Sequence, residues 1–330
     1  MDHPVQDAAA TADEDSKTAV IALGGNALVQ KGVKFASFEA QRRVVEETAR
    51  QIAALMGQGW RLAITHGNGP QVGNLLFMSR VAHEAQREIP EIPLDAANAH
   101  TQGSLGYLIA QAIRNALRAN GNHKQVASLM TQVVVDRADP AFRNPTKFVG
   151  PVYEIETANA LSIRMGWRMK EDRGRGWRRV VASPKPLEIV ELPVIKQLIA
   201  ADVSVVTVGG GGIPVIKEGD RLKGVAAVID KDRASSLLAT DLGVELLAIL
   251  TPVEHVFADF GKPTQRALRE LKVEETRRML AEGQFPQGSM GPKMEAAIRF
   301  LINGGSQVLI TDPANLIKGI KGEAGTRIAP

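Results

Sequence analysis

The chain contains no cysteine. Disulfide scaffolds, thiolate metal sites and cysteine nucleophiles are therefore excluded, and the composition fits a reducing cytoplasm. Aromatic residues are scarce, at 4%, which leaves little for the stacking platforms of single-strand nucleic-acid binders. No apolar run reaches the roughly 18 residues that span a bilayer, so a membrane partner is not expected. Residues 1–17 carry Asp2, Asp7, Asp13, Glu14 and Asp15 against Lys17 alone. That stretch lacks the basic start and apolar centre of a secretory signal, and a disordered acidic tail is expected.

Several chemical signatures are missing as well. There is no G-x-x-x-x-G-K-[ST] phosphate loop and no G-x-S-x-G nucleophile elbow. Gly67-Asn68-Gly69 followed by Gly73 misses the dinucleotide G-x-G-x-x-G spacing by one residue. The six histidines never fall at zinc-motif spacing, and no metal-binding residue can be named.

What is present is ordinary in bulk: 330 residues, 44% hydrophobic and 23% charged. Such a chain builds two domains, or one α/β unit of two lobes. The net charge of +4 is local rather than spread. Between Arg164 and Lys185 stand eight basic and two acidic residues, an excess of six that exceeds the whole. A phosphate-tracking surface would distribute that charge, so a nucleic-acid partner is not expected.

Short apolar runs alternate with amphipathic stretches. Thr18–Leu23, Trp60–Thr65, Gln125–Val135, Val203–Val208, Val225–Ile229, Leu246–Leu250 and Val308–Thr311 read as strands. Helical spacing covers Ser37–Met56, 103–119, Leu192–Ala200, Asp232–Leu242 and Met294–Ile302, and a helix should open near Pro70. Strand, helix and strand in succession mean a parallel sheet covered by helices. Residues 136–185 break the rhythm with repeated turn signals and the basic cluster, and read as an insertion projecting from the sheet.

Three glycine-rich turns follow apolar strands: Gly24-Gly25-Asn26, Gly67-Asn68-Gly69 and Gly209–Gly212. Any one is a routine tight turn. Three at the carboxyl edge of one parallel sheet point to an anion-binding crevice, because glycine lets backbone N–H groups approach closely. Lys147, Lys231 and Lys293 sit where turns or strand ends would present them. Lys231 is bracketed by Asp230 and Asp232, which would hold its ammonium in place. Backbone amides with placed lysines are the equipment of phosphoryl transfer, which needs alignment and charge neutralisation more than covalent help.

At these residues the sequence resembles the carbamate kinases of the amino acid kinase family. The matching pieces include VIALGGNAL (20–28), THGNGPQVGNLL (65–76), PLDAANAHTQGSLGY (93–107), TQVVVDRADPAFRNPTKFVGP (131–151), GRGWRRVVASPKP (174–186), VGGGGIPV (208–215), KGVAAVIDKD (223–232) and GSMGPKMEAAI (288–298). The resemblance implies an α/β fold, a three-layer αβα sandwich on a mainly parallel sheet with a small protruding lid at 136–185. It implies a homodimer and reversible phosphoryl transfer between ATP and carbamate, with Mg2+ accompanying the nucleotide. Residues 18–200 would form the lobe for carbamate or carbamoyl phosphate, and 201–330 the nucleotide lobe. Gly24, Gly25, Asn26, Gly67, Asn68 and Gly69 would cradle the transferring group. Lys147 would reach in from the lid, Lys231 and Lys293 would neutralise phosphates, and Asp232 would orient the lysines. Gly209, Gly210, Gly211, Gly212, Thr251, His255 and Met290 would lie beside the nucleotide. Two positions depart from the family pattern: Pro252 removes a backbone donor, and His255 stands where an aromatic residue often flanks the adenine. The rival readings are another acid kinase of this fold and a catalytically silent nucleotide-binding regulator. Retention of the lysines with Asp232 speaks against the regulator.

Overall fold

The computed structural model describes residues 17–25, 28, 37–172, 174–286 and 288–330. The acidic tail up to residue 16 and Asn26 lie outside the described residues.

The run Thr18–Leu23 is apolar without alternation because both of its faces are covered. Val20 and Ala22 enter one core cluster, while Ala19, Ile21 and Leu23 enter another on the opposite face. It sits near the middle of an eight-stranded sheet. The order across that sheet is Glu270–Lys272, Thr326–Ala329, Gln307–Thr311, Leu246–Leu250, Thr18–Leu23, Arg61–His66, Val203–Val206 and Gln125–Ser128. Every pairing is parallel except that between Gln307–Thr311 and Thr326–Ala329.

Helices Phe38–Gly57 and Leu94–Ala119 cover one face, burying Ile52, Leu55, Leu105, Ile109 and Ile113. Helices Leu192–Ala200, Lys231–Leu242 and Met290–Ile302 cover the other, with Ile195, Leu238 and Ala297. The three-layer αβα arrangement is thus observed. The strand Val203–Val206 pairs on both sides with strands from earlier in the chain, so one sheet runs through both halves.

The insertion folds as its own small layer. Lys147–Tyr153, Trp177–Val181 and Met169–Glu171 form a three-stranded antiparallel sheet carrying the helix Ile155–Met165. It docks on the helix Gln71–Ala85, where a Cβ on Gly73 would fall 2.6 Å from the backbone of Gly150. Basic side chains hold this layer together and tie it to that helix, which carries Arg80 and Glu84. Arg164 pairs with Glu84, Arg178 pairs with Asp172, and Arg179 and Arg80 both lie over the ring of Trp167.

Three expectations need correction. Gln125–Val135 is two strands in two different sheets, Gln125–Ser128 and Gln132–Val135, because Thr131 turns inward between them. Val225–Ile229 is not a strand. Its amides bond to Pro214, to Val225 and to Ala182, leaving one isolated bridge at Ala227. The helix expected at 103–119 begins at Leu94, nine residues earlier. Its first turns bury Asn98, Thr101 and Gln102, polar side chains that interrupt the apolar period.

Candidate active site

The turns that end Thr18–Leu23, Arg61–His66 and Val203–Val206 lie along one edge of the sheet, at the carboxyl ends of parallel strands. This is where ligands of open parallel sheets bind. Gly24 N–H donates to the Leu250 carbonyl and Gly67 N–H to the Leu23 carbonyl, tying the first two turns to the strand ends.

Two cavities open along this edge. The larger, of about 320 Å³, is mainly apolar, with Pro252, Val253, Phe257, Phe260, Phe285 and Met290 in its wall. The smaller, of about 270 Å³, is the more polar of the two and includes Gly67, Asn68, Gly69, Lys147, Gly210 and Asp230. The two share Gly25, Lys231, Ser289 and Lys293.

The lysines are held by carboxylates at fixed places. Lys231 opens the helix Lys231–Leu242, and Asp230 caps it by accepting from the N–H of Asp232 at 3.0 Å. Lys231 Nζ donates to Asp232 Oδ1 at 2.5 Å, and Lys293 Nζ donates to Asp232 Oδ2 at 2.8 Å. Lys147 Nζ reaches Asp230 Oδ2 at 2.8 Å from the first strand of the insertion. The two aspartates therefore divide the work: Asp232 orients Lys231, while Asp230 caps the helix and takes Lys147. Three ammonium groups against two carboxylates leave one net positive charge, favourable to an incoming phosphate.

Burial alone would push the Asp232 carboxyl up, but Lys231 and Lys293 outweigh it and hold the group well below the usual carboxylate range. Burial pushes Lys231 down, with Lys293 adding to the fall and Asp232 opposing it. Asp230 is likewise raised by burial but brought below its ordinary value, chiefly by Lys147. His66 is lowered to about 4 by burial, assisted by Lys231 and opposed by its bond to the Gly67 carbonyl. Its imidazole is neutral at pH 7, with Nδ1 donating to Gly67 O at 3.0 Å.

The geometry gathers Gly25, Gly67, Asn68, Gly69, Lys147, Lys231, Asp232 and Lys293 around the smaller cavity, and Gly24, Thr251 and Met290 around the larger. The four-glycine turn does not reach the larger cavity. Gly210 lines the smaller one, and Gly209, Gly211 and Gly212 are packed against His66, Ile229 and Val133. A Cβ on Gly210, whose φ is +66°, would fall 2.2 Å from Asn68 Oδ1. His255 is buried beside Glu254 and does not line the larger cavity, whereas Pro252 does.

Sequence reasoning missed Phe257, Phe260 and Phe285. The available signal was that three of only nine phenylalanines lie between Thr251 and Met290. It also missed the polar face Asn98, Thr101 and Gln102.

Residues 17–312 match the amino acid kinase family. The carbamate kinase of Pyrococcus furiosus is 49% identical over 314 residues, covering 95% of this chain and 99% of the relative. That of Clostridium perfringens is 46% identical over 310 residues, covering 94% and 98%. The solved structure of carbamate kinase from Giardia lamblia bound to AMP-PNP aligns with a TM-score of 0.88 at 42% identity, covering 96% of this chain and 99% of that one. The chain belongs to the amino acid kinase family, within the branch of the carbamate kinases.

Proposed function

We propose that the chain is a carbamate kinase, a phosphotransferase that moves a phosphoryl group reversibly between ATP and carbamate. The observation that carries this reading is the meeting of an apolar cavity and a small polar one at Gly25, Lys231, Ser289 and Lys293. The apolar cavity suits a nucleobase and ribose. The polar one, which Lys147 enters from the insertion, suits a small anionic acceptor.

In the direction of ATP formation, an oxygen of the ADP β-phosphate attacks the phosphorus of carbamoyl phosphate. The new P–O bond forms as the P–O bond to carbamate breaks, and carbamate leaves as an anion. No proton has to move, so neutral His66 is no obstacle. Lys231 and Lys293 neutralise charge spreading over the equatorial oxygens, and Asp232 keeps their ammonium groups aligned. Lys147 and the amides of the Gly67–Gly69 turn hold the carbamoyl end in line. Thr251, Met290 and the phenylalanines bound the nucleotide side. Residues 18–200 then give the acceptor side its Gly67–Gly69 turn and Lys147, with 136–185 as the lid, while 201–330 give it Gly210 and Asp230 and supply most of the nucleotide side.

Among the described residues no cluster of three or more acidic or histidine side chains is built to cage a metal. Asp230 and Asp232 are engaged by lysines. That donor set fits Mg2+ arriving on the nucleotide phosphates, its usual manner of binding in kinases. When bound, it supplies further neutralisation of phosphate charge. A cytoplasmic homodimer belongs to the same reading. The dimer rests on the family resemblance, and sedimentation velocity decides it. No described helix is long and apolar enough to cross a membrane.

Purified protein given Mg2+, ADP and carbamoyl phosphate should form ATP, and should do so poorly with acetyl phosphate or acetylglutamyl phosphate. Folded protein that forms no ATP from carbamoyl phosphate would overturn the assignment. Preference for either rival donor would move it to another acid kinase.

A further inference from the structure

The first turns of helix Leu94–Ala119 carry three polar side chains, Asn98, Thr101 and Gln102, each 3% exposed or less. Spacings of three and four residues put them on one helix face. Their hydrogen bonds run to separate segments of the site.

The amide orientations follow from fixed partners. Asn98 Nδ2 donates to the Ala227 carbonyl at 3.2 Å, so Asn98 Oδ1 faces Asn68 and accepts from its Nδ2 at 2.7 Å. Asn68 Oδ1 is thereby left to accept from Thr101 Oγ1 at 2.8 Å, a hydroxyl whose single hydrogen it shares with the Asn98 carbonyl, also at 2.8 Å. The Asn68 side chain is thus spent on the protein interior. It anchors its turn, and the backbone of Gly67–Gly69 is what the turn offers to a ligand. Ala227 leads within four residues to Lys231, so Asn98 joins the second glycine turn to the segment that carries the central lysine.

Gln102 makes a second clamp. Its Oε1 accepts from Thr131 N–H at 2.7 Å, and its Nε2 donates to the carbonyls of Thr131 and Gly209 at 3.0 and 2.9 Å. Thr131 Oγ1 in turn accepts from Val208 N–H at 3.1 Å. Val208 has φ +50°, a left-handed conformation costly for a β-branched residue. The strained entry to the four-glycine turn is therefore held through Gln102.

We propose that Asn98, Thr101 and Gln102 are positioning residues for phosphoryl transfer. They pin the Asn68 turn, the Gly209 turn and the approach to Lys231 to one rigid helix, and so set the spacing of the groups around the acceptor. None of the three lines either cavity. The pinned turns border the smaller cavity, so the loss falls on turnover and the acceptor rather than on ADP. The proposal rests on the kinase reading given above.

Thr101→Val removes one hydroxyl from this chain with little change of shape, and Thr101→Ser restores it. Thr101→Val should lower kcat about tenfold or more, since displacements well under 1 Å at a reacting centre are costly. Calorimetric ADP affinity should stay within about twofold of wild type, a split that general destabilisation does not produce. Thr101→Ser should return most of the rate, and Gln102→Met should behave as Thr101→Val. Hydrogen exchange supplies a readout independent of activity. Segments 66–70 and 208–212 should exchange faster in Thr101→Val and Gln102→Met respectively, while 18–23 and 246–250 should not change. Retained kcat, ADP affinity lost in proportion to rate, or unchanged exchange in both turns would each overturn the proposal. If wild type forms no ATP from carbamoyl phosphate, the kinase reading fails, and the exchange comparison still decides whether the turns are pinned.

Discussion

Asp232 touches two lysines through its two oxygens, and this one carboxylate keeps Lys231 and Lys293 from drifting apart under their mutual repulsion. The roles of the lysines differ by place. Lys231 borders both cavities, whereas Lys147 borders only the smaller. Either Lys→Ala change should cost on the order of 10²–10³ in kcat, as for other preorganised donors. Lys231→Ala should also weaken ADP binding, while Lys147→Ala should leave it nearly unchanged and weaken carbamoyl phosphate. Calorimetric ADP titration of both variants checks this, and the reverse pattern would exchange the two ends of the site. His66 carries a pH dependence of its own. An unfolded chain protonates this imidazole below about 6.5, whereas the folded protein resists until about 4. The unfolded state thus binds more protons in that window, and stability falls as pH drops through it, by roughly 3 kcal/mol in all. Above 6.5 the contribution is complete. Urea midpoints measured from pH 7 to 4 should decline, and His66→Asn should flatten that decline.

The helix Gln71–Ala85 is where the insertion meets the sandwich. Helix propensity alone says that Gly73→Ala stabilises, by about 1 kcal/mol. Packing says the opposite, because the new Cβ would press on the Gly150 backbone at 2.6 Å. Backbone atoms cannot swing aside as a flexible side chain can, so the crowding wins, with a net cost of about 1–3 kcal/mol. Thermal unfolding of Gly73→Ala should show a lowered midpoint, and a raised one would refute this account of the docking. The neighbouring helix is longer than its apolar period. In Leu94–Ala119 the apolar face Leu105, Ile109 and Ile113 is preceded by buried Asn98, Thr101 and Gln102, so periodicity becomes legible only after the first turns.

The whole molecule places a three-stranded layer over the polar cavity, joined there by the ion pair of Lys147 with Asp230. An arriving phosphate would compete for that ammonium, so ligand binding and the seating of the layer are coupled. Backbone amides across 136–185 should therefore become protected from exchange when ADP and carbamoyl phosphate are added, and ADP alone should do less. Equal exchange in all states would show a fixed layer, with its basic residues serving only the contacts to Glu84, Asp172 and Trp167.

Which strands end in the turns of the site was largely legible in the chain itself. Apolar runs ending in glycine are buried parallel strands ending at an open edge, because a strand covered on both faces must be continuous in apolar residues. The lysine beside two aspartates was legible for the same local reason. A parallel sheet covered by helices followed from the rhythm, and the three-stranded layer of Lys147–Tyr153, Met169–Glu171 and Trp177–Val181 falls where that rhythm is interrupted, whereas the three αβα layers came with the family resemblance. Which aspartate serves which lysine was not legible, since Lys147 lies 83 residues from Asp230 and only the docked layer brings them together. The phenylalanine wall, the burial of His255 away from it, and the retreat of the four-glycine turn to the polar side were decided by packing between distant segments. So was the inward commitment of Asn68. A side chain's hydrogen-bond partners depend on which segment packs beside it, and for Asn68 that segment is the helix Leu94–Ala119, whose Asn98 and Thr101 side chains take both ends of its amide.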